Sequence, residues 1–280
     1  MRISLKEAIP LEKPFTILFE PAAICNLRCE FCYYSHPDFR PGGLMKMDDF
    51  MKIINDLADW GEPKIKVIRF IGFGEPLLNP NIAKMVKVIK QLDLAERVEI
   101  TTNGTKLEVG LNQNLLYSGL DYLRVSVYNQ DEVYDKLLTY CSQRNSQLVV
   151  RPFIYVKTFE SNIGAENDAF INRFSHVSDE VGLEVSHDWL AGTGEGPRIC
   201  PQPFKMMSIR YNGNVIMCDP DWQENTLVGN ALTENIKDIW NGEKVKAFWK
   251  MQLEGRRYEN ESCRNCDFIM NPNYVLDRLD

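Results

Sequence analysis

Three of the chain's eight cysteines fall within one short stretch, Cys25-Asn26-Leu27-Arg28-Cys29-Glu30-Phe31-Cys32. Their C-x3-C-x2-C spacing supplies three thiolates, one fewer than the four that fully ligate a [4Fe-4S] cluster. One iron would then stay open to a substrate or cosubstrate, which is an arrangement for catalysis. The spacing also differs from the ferredoxin patterns C-x2-C-x2-C-x3-C and C-x4-C-x2-C.

Zinc binding and disulfide formation are the alternatives for three neighbouring cysteines. A zinc knuckle needs a fourth Cys or His ligand nearby. Disulfides pair cysteines in twos, so three cannot all be paired among themselves. The spacing therefore favours an iron-sulfur site.

Length and composition are those of an ordinary globular protein. At 280 residues, with 44% hydrophobic and 25% charged residues, the chain can form one sizeable domain and a smaller one. The net charge of -7 disfavours the broad basic face that nucleic-acid binding needs. The N-terminus has no apolar signal segment and no apolar run is long enough to span a membrane, so we expect a cytoplasmic protein without membrane contact. In that reducing compartment, grouped cysteines indicate metal ligands.

Hydrophobic periodicity predicts strands that alternate with helices up to residue 190. Six predicted strands cover residues 15–20, 65–71, 97–101, 122–127, 147–156 and 183–190. Five predicted helices cover residues 47–60, 81–92, 112–118, 131–144 and 166–181. Repeated βα units require a parallel sheet covered by helices, so the fold class is α/β, a partial (β/α)6 TIM-like barrel over residues 1–190. In such folds the chemistry lies at the C-terminal ends of the strands, where the cysteine loop follows the first strand.

The pattern changes after residue 190, which predicts a second domain over residues 191–280. Residues 191–197 are rich in glycine and predict a linker; no helix with Lys-Ser/Thr follows, as a phosphate loop would require. Asn212-Gly213-Asn214 predicts the turn of a hairpin, because Asn and Gly tolerate positive φ. Residues 233–253 then predict one or two helices.

Four further cysteines belong to this second domain. Cys200 and Cys218 bracket the hairpin, and Cys263 and Cys266 form a C-x2-C pair near the end. Four thiolates can complete one closed site, and both zinc and an iron-sulfur cluster accept such a set. Cys141 lies within a predicted helix and is interpreted as a small buried hydrophobic residue.

The first cysteine set, together with the aromatic Phe31, resembles the signature of the radical S-adenosylmethionine enzymes. Gly72-Phe73-Gly74-Glu75-Pro76 resembles the GGEP segment of that family, with Phe73 in place of the usual first glycine. Thr102-Asn103-Gly104 is similar to the family's TNG turn. Each segment alone is an ordinary turn, and their order along the chain carries the resemblance.

This resemblance implies a [4Fe-4S] cluster held by Cys25, Cys29 and Cys32. It implies S-adenosylmethionine contacts at Phe31, Gly72, Phe73, Gly74, Glu75, Thr102, Asn103 and Ser126. We also expect Arg151 to contact the cosubstrate carboxylate or the substrate, because a charge in an apolar strand is costly unless paired. A salt bridge to an acid such as Glu99 is the alternative.

The second cysteine set resembles the C-terminal SPASM extension or its shorter form, called twitch. That resemblance implies an auxiliary [4Fe-4S] cluster at Cys200, Cys218, Cys263 and Cys266. Residues 267–280 contain no further cysteine, so one auxiliary cluster is expected.

Taken together, the resemblance implies reductive cleavage of S-adenosylmethionine and abstraction of a hydrogen atom from a small-molecule or peptide substrate. The auxiliary spacing resembles that of family members that oxidise a ring alcohol of an aminocyclitol. We therefore expect oxidation of a secondary alcohol on a small, polar, sugar-like substrate, with the auxiliary cluster as electron acceptor and a flavodoxin- or ferredoxin-type reductant.

Four residues are candidates for the proton acceptor that alcohol oxidation needs: Arg151, His187, Asp188 and Glu195. His187 has the most suitable unperturbed pKa, although a lone His beside Trp189 is more often a core residue. Epimerisation, crosslinking of a ribosomal peptide, and a non-catalytic iron-sulfur or zinc protein are the alternative functions.

Overall fold

The structure, a computed structural model, describes residues 4–128, 130–147, 151–185, 199–264, 266 and 279. These residues form a nine-stranded sheet with the order β6-β5-β4-β3-β2-β1-β7-β8-β9. The strands are β1 Thr16–Phe19, β2 Ile65–Phe70, β3 Ala95–Thr102, β4 Tyr122–Ser126, β5 Phe153–Phe159, β6 Glu180–Glu184, β7 Met206–Ile209, β8 Asn214–Ile216 and β9 Leu227–Asn230.

The first six strands are parallel to their neighbours, and helices connect them. The α-helices are α1 Leu5–Ala8, α2 Met47–Asp59, α3 Ile82–Gln91, α4 Val109–Leu116, α5 Glu132–Ser146, α6 Gly164–Phe174, α7 Ile236–Trp240, α8 Glu243–Leu253 and α9 Glu261–Arg264. This arrangement confirms the predicted α/β class with a partial barrel. In the described part of the chain, no helix is long and apolar enough to cross a membrane.

The core lies between the sheet and its covering helices. In α2 the apolar side chains recur at helical spacing, and Phe50, Ile53, Ile54 and Leu57 are all buried. The Phe50 ring lies 5.5 Å from that of Phe19. Each large apolar side chain buried in this way stabilises the fold by roughly 1.5–3 kcal/mol.

The C-terminal segment continues the same sheet. Strand β7 pairs in parallel with β1, with Phe19 opposite Ile209, and β7 to β9 then run antiparallel to one another. The predicted turn joins β7 and β8, and its Gly213 has a φ of +85°. Strand β9 was not predicted, because four residues that include Gly229 give too short a pattern for assignment.

Predicted boundaries are wrong around the sixth strand. The predicted helix over residues 166–181 ends at Phe174, and β6 covers Glu180–Glu184 because Val181 pairs with Val156 on β5. Asp179 fixes this transition: its carboxylate accepts the backbone N–H of Ile154 at 2.7 Å. Residues 186–190 of the predicted strand and the predicted linker, residues 191–197, lie outside the described residues.

The other boundary corrections are smaller. Strand β5 begins at Phe153 and not at residue 147. Of the one or two helices predicted over residues 233–253, the structure has two, separated at Gly242, where a Cβ atom would lie 2.9 Å from the carbonyl oxygen of Asp238. The domain boundary predicted at residue 190 lies outside the described residues and stays a prediction.

A buried ion pair joins the ends of β1, β2 and β7. Glu20 is completely buried, and one of its oxygens accepts Arg210 Nε–H at 2.7 Å and the backbone N–H of Tyr211 at 3.3 Å. The other oxygen accepts the backbone N–H of Phe73 at 3.0 Å. Because both partners are buried, removal of either leaves a charge that water cannot solvate.

We expect Arg210→Met to destabilise the fold by about 3–5 kcal/mol, because it leaves Glu20 buried and unpaired. The measurement is the midpoint of anaerobic urea unfolding of the reconstituted protein. Arg173→Met is the matched control, because the Arg173–Asp131 pair is exposed on both sides and should contribute less than about 1 kcal/mol. Equal midpoints for the two variants would contradict this account.

Candidate active site

The first three cysteines line a cavity of about 260 Å³ at the C-terminal ends of the parallel strands. The loop that carries them follows β1 and is shaped by its own hydrogen bonds. The backbone N–H of Leu27 donates to Cys25 Sγ at 3.4 Å, and that of Cys32 donates to the Cys29 carbonyl oxygen at 3.0 Å. The sequence-predicted set, Cys25, Cys29 and Cys32, is therefore brought to one cavity.

These sulfurs lie in an environment that disfavours bare thiolates. Burial raises the pKa of all three, and it raises that of Cys29 to about 11 with contributions from neighbouring Cys32 and Cys25. Thiolates there need a positively charged group among them. Three thiols in one cavity thus fit a cluster in which each sulfur binds its own iron.

The segment after β2 packs directly against the chain that enters the cysteine loop. The backbone N–H of Glu75 donates to the Ile24 carbonyl oxygen at 2.8 Å. A Cβ atom on Gly74 would lie 2.2 Å from the carbonyl oxygen of Ala22, so only glycine permits this approach. The backbone of residues 72–74 consequently lines the cavity beside the cysteines.

Glu75 fastens the end of β2 to the end of β3. Its side chain is 2% exposed and accepts hydrogen bonds from Thr102 Oγ1 at 2.6 Å and from the backbone N–H groups of Asn103 at 2.7 Å and Leu77 at 2.9 Å. Burial raises the pKa of this carboxyl, and the three hydrogen bonds oppose that rise. The Glu75 carboxylate therefore positions two neighbouring loops.

Asn103 connects this corner to the cysteine loop. Its Nδ2 donates to Asn26 Oδ1 at 3.1 Å and lies 3.9 Å from Cys25 Sγ. Asn26 in turn donates to Thr105 Oγ1 at 2.9 Å. The first cysteine is thereby held against the turn after β3.

An aromatic wall closes one side of the cavity. The Phe31 ring meets those of Tyr128 and Phe159 edge to face, both at 4.7 Å between centroids. Burial raises the pKa of Tyr128 to about 12, so its hydroxyl stays protonated at neutral pH. Ser126, on the neighbouring strand end, supplies a polar edge to this wall.

The structure brings together all but one of the residues predicted to contact the cosubstrate. Those that line the cavity are Phe31, Gly72, Phe73, Gly74, Glu75, Thr102, Asn103 and Ser126. Arg151 does not: it precedes β5, its side chain is 65% exposed, and it pairs with Asp121, which precedes β4. The expected role of Arg151 is corrected, because the N-terminal edge of the sheet lies opposite the cysteine loop. Arg151 instead forms a salt bridge, as the alternative prediction had it, but its partner is Asp121 and not Glu99.

The remaining proton-acceptor candidates, His187, Asp188 and Glu195, lie outside the described residues. Two cavity-lining charges were missed by sequence reasoning, namely Lys157 and Asp219. Lys157 lies on β5 opposite Ser126, and its Nζ is 2.6 Å from a Glu184 carboxylate oxygen. No sequence signal marked Lys157 as different from an ordinary strand residue.

Asp219 directly follows Cys218 and faces the same cavity as the first cysteine set. Burial raises the pKa of its carboxyl to about 6, and the guanidinium groups of Arg69 and Arg210 oppose the rise. The position of Asp219 depends on the pairing of β7 with β1, which brings the hairpin to the cavity. Adjacency to a predicted ligand was the signal available in the sequence.

The second cysteine set is also brought together. Burial raises the pKa of Cys218 well above its ordinary value, and Cys266, Cys200 and Cys263 raise it further. Gln252 bridges two of the set: its Oε1 accepts the backbone N–H of Cys200 at 3.2 Å, and its Nε2 lies 3.7 Å from Cys263 Sγ. Four thiols so arranged fit a cluster site of the closed kind.

Further observations bear on what this second set can hold. Arg257 Nε and Gln202 Nε2 are buried donors without a hydrogen-bond partner, as expected beside a group with acceptor atoms. Zinc draws four sulfurs to about 2.3 Å from one ion, whereas a cluster gives each sulfur its own iron. Both groups accept four thiolates, and the unpaired donors of Arg257 and Gln202 suit one that has acceptor atoms.

Tyr33 lies between the two cysteine sets. It follows Cys32, and its ring is 5.5 Å from that of Phe73 and 6.2 Å from that of Trp222. Burial raises the pKa of Tyr33, and Cys218 on the other set adds to the rise. Cys141 lies apart from both sets, where its Sγ donates to the Val177 carbonyl oxygen at 3.1 Å, as the buried-residue interpretation predicts.

Comparisons with known proteins agree with this arrangement. The radical SAM superfamily model matches residues 19–146, and the SPASM model, an iron-sulfur cluster-binding domain, matches residues 200–267. The 2-deoxy-scyllo-inosamine dehydrogenase of Niallia circulans, which depends on S-adenosyl-L-methionine, is 23% identical over 92% of this chain and 95% of that protein.

Other relatives match a smaller share of the chain, which spans only about a third of the length of the first of them. The tungsten-containing aldehyde ferredoxin oxidoreductase cofactor-modifying protein of Pyrococcus furiosus is 35% identical, over 40% of this chain and 30% of that protein. Among solved structures, BtrN in complex with AdoMet and 2-DOIA superposes with a TM-score of 0.66 at 22% identity, covering 96% of both chains.

Two matched domains therefore account for the two cysteine sets. The radical SAM domain implies a [4Fe-4S] cluster and S-adenosylmethionine, and the SPASM domain implies auxiliary iron-sulfur ligation. The chain therefore contains a radical SAM domain followed by a C-terminal SPASM domain.

Proposed function

We propose that the protein oxidises a secondary alcohol on a small polar substrate to a ketone. The observation that carries the proposal is the turn Cys218-Asp219-Pro220: Asp219 and Pro220 line the cavity of the first cysteine set, and Cys218 belongs to the second set. A proton acceptor and an electron acceptor would thus lie side by side at the substrate. Both are needed when a carbon radical beside a hydroxyl becomes a carbonyl.

Two sets of residues would hold the cofactors. Cys25, Cys29 and Cys32 would ligate the first cluster, and Cys200, Cys218, Cys263 and Cys266 the auxiliary cluster. When bound, the first cluster and S-adenosylmethionine supply a radical that removes the carbinol hydrogen atom, and the auxiliary cluster supplies an acceptor for one electron. Loss of the hydroxyl proton then completes the two-electron oxidation of the alcohol to the ketone.

Asp219 is the side chain placed to accept that proton. Its carboxylate faces the cavity. The roles of His187, Asp188 and Glu195, which lie outside the described residues, stay predictions. The Asp219 carboxylate would also bind a substrate hydroxyl or ammonium group before reaction. Asp219 is therefore our candidate for the proton acceptor in place of Arg151.

Lys157 and Ser126 suit the carboxylate of the cosubstrate. They are register partners at the cavity ends of β5 and β4. An ammonium and a hydroxyl can both donate to a carboxylate there. Lys157 is the charged residue on β5 that lies at the correct end of the strand for the role first assigned to Arg151.

The full-length similarity to a dehydrogenase supports an aminocyclitol or similar polyol as substrate. The match to that relative covers 92% of this chain, whereas the match to the Pyrococcus furiosus protein covers 40%. A carboxylate at the substrate also suits a ligand with hydroxyl and ammonium groups. A flavodoxin- or ferredoxin-type reductant and a cytoplasmic location stay predictions.

We expect Cys29→Ala to abolish 5′-deoxyadenosine formation, because it removes one ligand of the first cluster. The protein is reconstituted anaerobically, reduced with dithionite, given S-adenosylmethionine, and assayed by chromatography. Cys141→Ala is the matched control and should keep wild-type formation, since Cys141 lies outside both cysteine sets. Equal product from Cys29→Ala and wild type would refute the enzymatic function.

The proposal also predicts the iron content of the reconstituted protein. Wild type should hold about eight irons per chain, in two cubes, and Cys200→Ala/Cys218→Ala about four, because half of the auxiliary ligands are lost. Iron and zinc are measured together by mass spectrometry. About four irons with one zinc in wild type would remove the electron-acceptor role.

A third experiment tests the alcohol and its proton acceptor. We expect 2-deoxy-scyllo-inosamine or a related aminocyclitol to increase 5′-deoxyadenosine formation, with deuterium transferred from a substrate labelled at the carbinol carbon. Asp219→Asn should lower ketone formation by about 10²- to 10⁴-fold, the usual contribution of a general base. Asp221→Asn is the control: Asp221 also lies near Cys218, but its carboxylate is buried against Thr226. Unchanged ketone formation in Asp219→Asn would count against Asp219.

A further inference from the structure

Arg257 is a buried cation beside the second cysteine set. It begins the short 3-10 turn Arg257–Glu259 between α8 and α9, and it is 1% exposed. Its Nη2 donates to the Cys266 carbonyl oxygen at 3.0 Å, and its guanidinium lies 4.7 Å from the Tyr258 ring centroid. Its Nε has no hydrogen-bond partner, and no carboxylate of the described chain forms an ion pair with it.

A buried charge of this kind needs a counter-charge, because its removal from water costs several kcal/mol when it is unpaired. In the part of the chain that the structure describes, Cys200 and Cys263 are neighbouring groups that can become anionic. The guanidinium opposes the burial that raises the pKa values of Cys200 and Cys263, so its field reaches both sulfurs. Four thiolates around a cluster would provide the missing negative charge.

We propose that Arg257 is the counter-cation of the auxiliary cluster and raises its reduction potential. The proposal rests on the assignment of that cluster to this cysteine set under the proposed function. One-electron reduction adds a negative charge to the cluster, and a nearby buried cation stabilises the reduced form more than the oxidised form. Arg257 would therefore favour electron uptake from the substrate.

Gln252 would also raise the reduction potential of the auxiliary cluster. It is completely buried, and its Nε2 amide group lies 3.7 Å from Cys263 Sγ. Hydrogen bonds to cluster sulfurs are a further determinant of the potential, because they stabilise added negative charge. The charge of Arg257 and the dipole of Gln252 can be separated by substitution.

The test uses the full chain with Cys25→Ala/Cys29→Ala/Cys32→Ala, so that only the auxiliary cluster is reconstituted. Its midpoint potential is measured by an anaerobic redox titration followed by electron paramagnetic resonance. We expect Arg257→Met to weaken electron uptake at least tenfold, a fall of about 59 mV for one electron. Arg256→Met is the matched control and should leave the potential unchanged, because Arg256 is exposed and paired with Glu254 and Glu259.

Two further variants exclude a purely structural effect. Arg257→Lys keeps the charge and should retain most of the parent potential. Gln252→Met removes the donor to Cys263 Sγ together with the acceptor of the Cys200 N–H, and it should lower the potential by less than Arg257→Met. If Arg257→Met holds no iron, Arg257→Gln replaces it, and equal potentials in Arg257→Gln and Arg257→Lys overturn the proposal. An unchanged potential in iron-loaded Arg257→Met does so as well. A parent protein without any cluster would instead contradict the proposed function, and iron analysis distinguishes the two failures.

Discussion

A single buried carboxylate, that of Glu20, holds three strand ends in place around the cavity. It follows β1 and accepts N–H groups from Phe73 after β2 and from Arg210 and Tyr211 after β7. Since a buried carboxylate without such donors is strongly unfavourable, the three segments cannot move apart independently. The cysteine loop begins only five residues after Glu20, so its position relative to both neighbours follows from this constraint.

Glu75 is a second buried carboxylate that joins strand ends by hydrogen bonds, one strand further along the sheet. It ties the segment after β2 to the turn after β3, and Gly72 and Gly74 let backbone atoms approach where side chains would collide. A Cβ atom on Gly72 would lie 2.5 Å from Glu20 Cγ, so the glycine and the carboxylate are matched to each other. Loops at a sheet edge are usually variable, but here buried carboxylates make them rigid enough to position a cofactor.

Local spacing allowed the cysteine sets and the alternation of strands and helices to be predicted from the sequence, whereas most of the cavity lining was predicted from the family resemblance. The errors arose where a residue's position depends on distant pairing. Arg151 was expected at the cavity because the predicted strand began too early, whereas β5 begins at Phe153 and leaves Arg151 at the opposite edge. Asp219 was overlooked because only the pairing of β7 with β1 brings it to the cavity, and local periodicity does not encode that pairing.

The two cysteine sets differ in the charges around them, and this difference is consistent with different redox roles. Beside the first set, Arg28 is exposed, so water screens its charge. Beside the second set, Arg257 and Gln252 are buried, and their effect on added negative charge is much less screened. Under the proposed function, the first cluster must give an electron to the cosubstrate and the auxiliary cluster must accept one from the substrate. A protein can separate these tasks between clusters of the same type by placing a fully buried cation beside one of them, because the potential follows local charge and hydrogen bonding. Tyr33 and Asp219 lie where the two environments meet, which is where the substrate would lose its hydrogen atom, its proton and its electron.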